Sequence, residues 1–173
     1  MCTTPRQVIA RKKGLSVLFL ILCSGLVTLP AVASSIQDRN KAVARRVFDE
    51  IFNQGKFQVA DEIYAKDFVN HGVHRDVGLK EDQDAARGWK LAFPDGKMTV
   101  VKEIAEGDLV TVLYTGTGTN TGEGNGLPAT GKKIQTRGIT IWRIVKGKIV
   151  EEWSEFDQLR IMRDLGLLPE PVK

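Results

Sequence analysis

Apolar residues recur at three- and four-residue spacing in three segments of the first half of the chain, residues 36–53, 57–64 and 78–92. That spacing places them on one side of a helix and leaves the charged residues on the other. The pattern therefore predicts three amphipathic helices. A fourth helix or turn is predicted at 157–165, where Gly166 ends it.

The period then changes from 3.6 to 2 in the second half of the chain. Alternating segments rich in Val, Ile, Thr and aromatic residues predict four strands, at 98–105, 109–119, 133–145 and 148–156. Short turns separate the first two strands and the last two. Helices followed by an antiparallel meander indicate an α+β domain with the helices packed on one face of a curved sheet.

The last hairpin allows a prediction of which side chains share a face. If Lys146 and Gly147 form a two-residue turn, Val145 pairs with Lys148. Side chains alternate between the faces from that pair onward, so one face resembles a cavity wall, aromatic with few polar groups. That face would carry Trp142, Trp153, Thr140, Glu151 and Asp157, with Glu152, Arg137 and Arg143 on the other. A one-residue slip would exchange the faces.

The first 33 residues have the order of a secretory signal peptide. Four basic residues precede an apolar run at 15–29, and Ala31-Val32-Ala33 then offers small residues where a signal peptidase cleaves. The alternative is an uncleaved anchor, but the run is shorter than the roughly 20 residues that span a bilayer. We expect cleavage near Ala33-Ser34, export to the periplasm or the outside, and a single mature domain at 34–173.

The predicted signal accounts for the net charge and for both cysteines. Four of the 25 basic residues and none of the 21 acidic residues lie in residues 1–33, so the mature domain carries 21 of each. A neutral domain has no charge-based reason to bind nucleic acid or a membrane surface. Cys2 and Cys23 also lie in the signal. The mature domain therefore has no disulfide or thiolate chemistry.

Several short motifs occur in a characteristic order along the mature domain. They are Phe-Asn-Gln-Gly at 52–55, Asp-Phe-Val-Asn-His at 67–71, Phe-Pro-Asp at 93–95, Pro-Ala-Thr-Gly-Lys at 128–132, Arg-Gly at 137–138 and Gly-Lys-Ile-Val-Glu-Glu-Trp at 147–153. Together they resemble the SnoaL-like polyketide cyclase or ester cyclase family of the NTF2-like superfamily. The resemblance covers residues 44–168.

The resemblance implies a cone-shaped α+β fold in which a curved antiparallel sheet wraps around the N-terminal helices and encloses an apolar pocket. Such proteins are commonly homodimers and need no metal or organic cofactor. The family's cyclases close rings by aldol chemistry, with an aspartate near the end of the last long strand as general acid/base and an upstream histidine. Here the matching carboxylate is Glu152 if it precedes the tryptophan and Asp157 if it follows. Arg137-Gly138 stands where the family has a histidine.

The candidate catalytic residues are therefore Asp157, Glu151, Glu152 and His71. A carboxylate in an apolar pocket resists ionisation, so its pKa rises and it can move a proton from a carbon beside a carbonyl. The plainer alternative is that these are surface groups, with Asp157 as a helix cap. His71 and His74 together lack a carboxylate pattern that would complete a metal site.

The candidate substrate-binding residues are aromatic side chains and one hydroxyl, each of which could equally be ordinary core. They are Trp142, Trp153, Trp89, Phe68, Tyr114 and Thr140. The expected ligand is a small apolar carbonyl compound, and the expected activity is cofactor-independent cyclisation or isomerisation. Two alternatives stay open: an exported, non-catalytic module that binds a small ligand, and a structural dimeric partner.

Overall fold

The computed structural model describes Met1 and residues 35–72 and 74–169. The predicted signal peptide, with both cysteines, lies outside the described residues apart from Met1. The described part of the chain forms four α-helices and one six-stranded sheet, as the α+β prediction requires. None of the helices described in residues 35–169 has both the length and the apolar content needed to cross a membrane.

The helices lie where the apolar spacing predicts them. They are α1 (Ile36–Arg46), α2 (Val59–Ile63), α3 (Leu79–Ala92) and α4 (Gln158–Asp164). The Ser35 hydroxyl begins α1 by accepting the Asp38 N–H at 3.1 Å, which satisfies a backbone donor at the helix end. Helix α1 continues into a π-helical segment (Val47–Phe52), which presents Val47, Phe48 and Ile51 to the core.

The six strands form one open sheet in the order β2-β1-β6-β5-β4-β3. Their bounds are β1 (Tyr64–His71), β2 (Asp76–Gly78), β3 (Lys97–Glu106), β4 (Leu109–Thr119), β5 (Lys133–Val145) and β6 (Lys148–Phe156). All neighbouring pairs are antiparallel except β1 and β6, which run parallel. The sheet is curved and unclosed, and the parallel pair joins the N-terminal part of the domain to its last strand.

The main core lies between the N-terminal helical segments and the inner face of the sheet. The Phe48 ring packs edge-on against Trp142 at 5.5 Å, and it lies tilted against the Tyr114 ring at 5.1 Å. Alternate β5 residues from Ile134 to Ile144 are buried, as a strand with one covered face requires. Burial of each large apolar side chain contributes roughly 1.5–3 kcal/mol to folding, so this layer holds the helices on the sheet.

The last hairpin confirms the predicted turn but corrects the predicted faces. Lys146 and Gly147 have positive φ angles of 51° and 77°, and Val145 pairs with Lys148. A β-bulge then intervenes, because Arg143 pairs with Glu151 and leaves Val150 as the extra residue. One extra residue in β6 moves every later β6 side chain to the face opposite the one that the unbroken pairing predicts. Trp142 therefore lies beside Glu152, and Glu151 and Trp153 turn to the outer face.

Candidate active site

A cavity of about 200 Å³ lies between α3, the π-helical segment and the inner face of the sheet. Its walls are largely aromatic: Phe52, Tyr64, Trp89, Tyr114, Trp142 and Phe156. Three polar groups stand out among the lining residues, the carboxyl groups of Asp82 and Glu152 and the amide of Gln83. An apolar enclosure with a few convergent polar groups is typical of a small-molecule site.

The Glu152 carboxyl group is held firmly inside this cavity. The residue is 8 % exposed, and Trp142 Nε1 donates to its Oε2 at 2.8 Å. The Ser154 hydroxyl donates to Oε1 at 2.5 Å. Burial, and then the nearby Asp82 charge, raises the pKa of Glu152 to about 7, against the opposing effect of the two hydrogen bonds. A carboxyl group with this pKa can both give and take a proton near neutral pH.

Asp82 supplies a second carboxyl group from the first turn of α3. The Asn70 amide donates to its Oδ1 at 2.8 Å, and the Gln83 amide donates to its Oδ2 at 3.1 Å. Burial raises the pKa of Asp82 despite these two hydrogen bonds. Asn70 is also the β1 partner of Glu152 in the parallel pair, so the residue that holds one carboxyl group lies beside the other.

The described residues that line the cavity carry acidic and phenolic groups and no cationic group. Among the lining residues in the described part of the chain there is no lysine, arginine or histidine. Burial, followed by the Glu152 charge, raises the pKa of the Tyr114 phenol to about 12 and that of Tyr64 well above its ordinary value. Both phenols therefore remain neutral and able to donate a hydrogen bond at physiological pH.

Comparison with known proteins identifies the family. The family model described as SnoaL-like polyketide cyclase matches residues 42–165. The chain belongs to the SnoaL-like polyketide cyclase family. A search of curated proteins found no match.

Solved structures share the fold of this SnoaL-like domain. AclR from Streptomyces galilaeus, provisionally named a hydroxylase, is 26% identical with a TM-score of 0.72, over 79% of this chain and 87% of AclR. A provisionally named SnoaL-like polyketide cyclase from Jannaschia sp. CCS1 is 24% identical with a TM-score of 0.71, over 79% of this chain and 98% of the Jannaschia chain. TsrD from Streptomyces laurentii is 23% identical with a TM-score of 0.70, over 78% of this chain and 100% of TsrD.

Four of the predicted substrate-binding aromatics and the hydroxyl lie at or beside the cavity of the SnoaL-like domain. Trp142, Trp89 and Tyr114 line it. Phe68 is buried behind the wall, with its ring 4.8 Å from that of Tyr64. Thr140 is also behind the wall, where its hydroxyl shares a 2.8 Å hydrogen bond with Ser154, the residue that holds Glu152.

The other predicted site residues of β1 and β6 lie on the outer face, which corrects their predicted placement. Glu151 accepts a 2.6 Å hydrogen bond from Arg143 Nε, which lowers the pKa of that carboxyl group. The His71 ring stacks on the Trp153 indole at 4.8 Å, and His71 Nε2 lies 3.8 Å from Glu151 Oε1. His71 Nδ1 lies 3.2 Å from Asp76 Oδ1. The bulge at Val150 is the physical reason why Glu151 and Trp153 lie on that face.

Asp157 caps α4 instead of facing the cavity. Its exposed carboxylate accepts the Arg160 backbone N–H at 3.0 Å, which satisfies a free donor of the first helical turn. The helix-cap alternative, and not the catalytic prediction, describes its geometry.

We expect Asp157→Ala to lower the free energy of unfolding by about 1 kcal/mol, because the cap is lost. The variant should keep the ligand binding and turnover of the unchanged protein. Urea unfolding monitored by circular dichroism measures the stability change, and Asp157→Asn, which retains a capping side chain, is the matched control. If Asp157→Ala lost turnover while its free energy of unfolding stayed unchanged, Asp157 would be a catalytic residue and not a helix cap.

Sequence reasoning missed the aromatic wall residues Phe52, Tyr64 and Phe156 and several polar residues, of which Asp82, Gln83 and Asn70 matter most for the chemistry. A signal for Asp82 and Gln83 was present in the predicted third helix. Leu79 and Ala86 are apolar positions of that helix, and Asp82 and Gln83 lie three or four positions from each of them. Polar residues on an otherwise buried helix face are candidates for a site. Asn70 carried no comparable signal, because its role depends on the long-range pairing of β1 with β6.

Proposed function

We propose that this SnoaL-like domain binds a small neutral carbonyl compound and that Glu152 moves a proton during its cyclisation or isomerisation. The observation that carries the proposal is the Glu152 carboxyl group, buried against an aromatic wall with its pKa raised to about 7. Family membership supports the same reaction class. Glu152 is also one of the two positions to which the sequence resemblance assigned the acid/base.

The size of the cavity limits the ligand. An apolar cavity of roughly 150 Å³ is large enough to hold benzene. The cavity here measures about 200 Å³, so it holds one ring with small substituents. The absence of cationic side chains among the described lining residues favours a ligand without a carboxylate or phosphate.

The surroundings of Glu152 suit proton transfer at carbon. The aromatic walls exclude water and lower the local dielectric, which strengthens hydrogen bonds to a ligand oxygen. Trp142 and Ser154 fix the carboxyl group from two sides, so it needs no reorganisation during the reaction. Removal of a proton beside a carbonyl produces an enolate, or an enol when the oxygen also gains a proton, and either is the nucleophile of an aldol ring closure and the intermediate of an isomerisation.

Exchange of carbon-bound hydrogen tests this proposal without knowledge of the natural substrate. Cyclohexanone and cyclopentanone are neutral, compact ketones whose α-hydrogens exchange when an enol forms. We expect the mature domain in D₂O to accelerate deuterium incorporation into at least one of them, measured by proton NMR. If both ketones bind but neither exchanges faster than in buffer, the catalytic proposal is wrong.

A non-catalytic ligand-binding module is the second candidate. It is favoured by one observation: among the lining residues that the structure describes there is no histidine, whereas the family's cyclases use one. His71 lies on the outer face, stacked on Trp153. Binding of the ketones without exchange would support this candidate over the enzyme.

We further propose that the protein is a homodimer through the outer face of the sheet. Leu113 lies beside Ile139, and Ile141 lies beside Trp153, on neighbouring strands of that face. Ile139 is 47% exposed and Trp153 38%, so a second copy would cover apolar surface. Family resemblance implies the same association.

We expect Ile139→Glu to convert the dimer into a monomer, because the introduced charge would be buried without a partner. Light scattering coupled to size exclusion measures the mass. Leu91→Glu is the matched control, since Leu91 is an exposed apolar residue on α3, outside the sheet. A wild-type protein that has the mass of one chain at micromolar concentration would contradict the proposal.

A further inference from the structure

We propose that Asp82 is a second catalytic residue, which takes the proton from carbon while Glu152 gives a proton to the carbonyl oxygen, and that Gln83 accepts a hydrogen bond from the substrate. This inference rests on the proposed function and deepens it. It names the substrate class as a neutral carbonyl compound that also carries a hydroxyl or N–H group. The proposal comes from three features of the cavity.

The first feature is the way both carboxyl groups are held. Each of their four oxygens accepts one hydrogen bond from a neutral donor: Asn70 and Gln83 for Asp82, and Trp142 and Ser154 for Glu152. Each oxygen has further acceptor capacity that can be directed at a ligand. The donors come from three different elements, β1, α3 and the β5–β6 hairpin, so the two groups are positioned independently of a ligand.

The second feature is that one carboxyl group ionises before the other. Two carboxylates in a low-dielectric cavity without a cation cannot both ionise easily. The described titratable groups that line the cavity are Asp82 from α3, Glu152 from β6, Tyr64 from β1 and Tyr114 from β4. The Asp82 charge raises the pKa of Glu152, so Asp82 loses its proton first. Once Asp82 has ionised, and below the pKa of Glu152 at about 7, the pair is therefore an Asp82 base and a Glu152 acid.

The third feature is an unpaired acceptor on a residue that lines the cavity. Gln83 is 6% exposed and lines the cavity, and its Oε1 is buried with no hydrogen bond of ordinary geometry, although the Gln83 side chain lies near enough to the Tyr64 phenol to oppose the rise in the pKa of Tyr64. Its amide nitrogen donates to Asp82, so the opposite amide orientation would place oxygen against a carboxylate. An unsatisfied buried polar atom costs about 1–3 kcal/mol, which a donor on the ligand would recover.

The pair completes an aldol closure without any outside proton source. The α C–H bond breaks and its proton goes to Asp82, while the Glu152 proton goes to the carbonyl oxygen, giving a neutral enol. The enol carbon then bonds to a second carbonyl carbon of the same molecule. The Asp82 proton passes to that second oxygen, and the enol O–H proton returns to Glu152. Both carboxyl groups end in their starting states, and no electron donor or acceptor is needed.

The test compares Asp82→Asn with Asp84→Asn in the ketone exchange assay. Asp84 lies on the same helix but is exposed and paired with Lys80, so its variant should exchange like the wild type. We expect Asp82→Asn to lower the exchange rate at least a hundredfold while cyclohexanone still binds. If Asp82→Asn does not fold, Asp82→Ser removes the carboxyl group with less bulk.

The pH profile supplies a readout that a structural role would not change. We expect a bell-shaped exchange profile in the wild type, rising as Asp82 ionises and falling as Glu152 loses its proton near pH 7. In Asp82→Asn the pKa of Glu152 should fall, since the neighbouring charge is gone. An Asp82→Asn rate within threefold of the wild type, alongside a large loss in Glu152→Gln, would overturn the pair and leave the proposed function standing. If neither Asp82→Asn nor Glu152→Gln lowers the exchange rate, or if the wild type does not accelerate exchange, both the carboxyl pair and the proposed function are wrong.

The Gln83 contact has its own comparison. We expect 4-hydroxycyclohexanone to bind the wild type about five- to tenfold more tightly than cyclohexanone, because its hydroxyl reaches the unpaired Oε1. Gln83→Leu should abolish that preference by isothermal titration calorimetry. Equal affinities of the two ketones for the wild type would remove the hydrogen-bond donor from the proposed substrate class.

Discussion

Glu152→Gln will lower the exchange of ketone α-hydrogens by about 10²- to 10⁴-fold, the range that a positioned acid/base group contributes. Glutamine keeps the size of the side chain and can still accept from Trp142 Nε1, as the carboxylate does at 2.8 Å. Binding of cyclohexanone should therefore change by only a few-fold. The loss should appear in the rate constant at saturating ketone, because the substitution removes proton transfer and not the cavity.

The neighbouring glutamate is a matched control for this prediction. Glu151 precedes Glu152 in sequence, but the bulge turns it to the outer face, where Arg143 binds it. We expect Glu151→Gln to catalyse exchange of the ketone α-hydrogens at the wild-type rate. If Glu151→Gln loses the activity and Glu152→Gln keeps it, the register of the last hairpin is wrong.

The second large effect is on stability as a function of pH. The pKa of Glu152 is raised in the folded protein from an ordinary 4.5 to about 7, so the folded state binds this proton more tightly than the unfolded state. The favourable contribution is fully present below about pH 4.5 and is lost as pH rises through about 7. By pH 9 the wild type should have lost about 3 kcal/mol relative to Glu152→Gln, which carries no ionisable group there.

Urea unfolding at pH 5 and pH 9 measures this difference. Glu152→Gln should be the more stable protein at pH 9, with the advantage decreasing towards pH 5. Glu151→Gln should show no such advantage at pH 9, since Arg143 lowers the pKa of Glu151 and so favours its charged form. A wild type and a Glu152→Gln variant whose stabilities run in parallel from pH 5 to pH 9 would show that Glu152 is not buried.

Local patterns were sufficient to predict the four helices and the four long strands of this fold. The 3.6-residue apolar spacing in residues 36–53 and 78–92 and the alternation in β4 to β6 each reflect one buried face, which the sequence displays directly. The Lys146-Gly147 turn was equally local, and its two positive φ angles match the hairpin type. The family motifs then indicated how these elements assemble.

The site was harder to predict because it depends on features that are not local. The bulge at Val150 adds one residue to β6 and reverses which of Glu151 and Glu152 faces inward, yet nothing in the alternation marks it. The three-residue β2 is too short to give a period. The parallel pairing of β1 with β6, which brings Asn70 beside Glu152, joins residues more than 80 positions apart. Asp157, a plausible acid from sequence, is used as a helix cap.

Glu152 is a buried carboxyl group that faces the cavity and that should change protonation near neutral pH. A titration of protein labelled with ¹³C at the glutamate side-chain carboxyl carbons tests it most directly. We predict one resonance that titrates near pH 7 in the wild type and in Glu151→Gln, and that is missing from Glu152→Gln. If every glutamate of the wild type titrates below pH 5, Glu152 does not have a raised pKa. If the resonance that titrates near pH 7 is still present in Glu152→Gln, it belongs to another glutamate, and either result contradicts the assignment of Glu152 as the acid/base group.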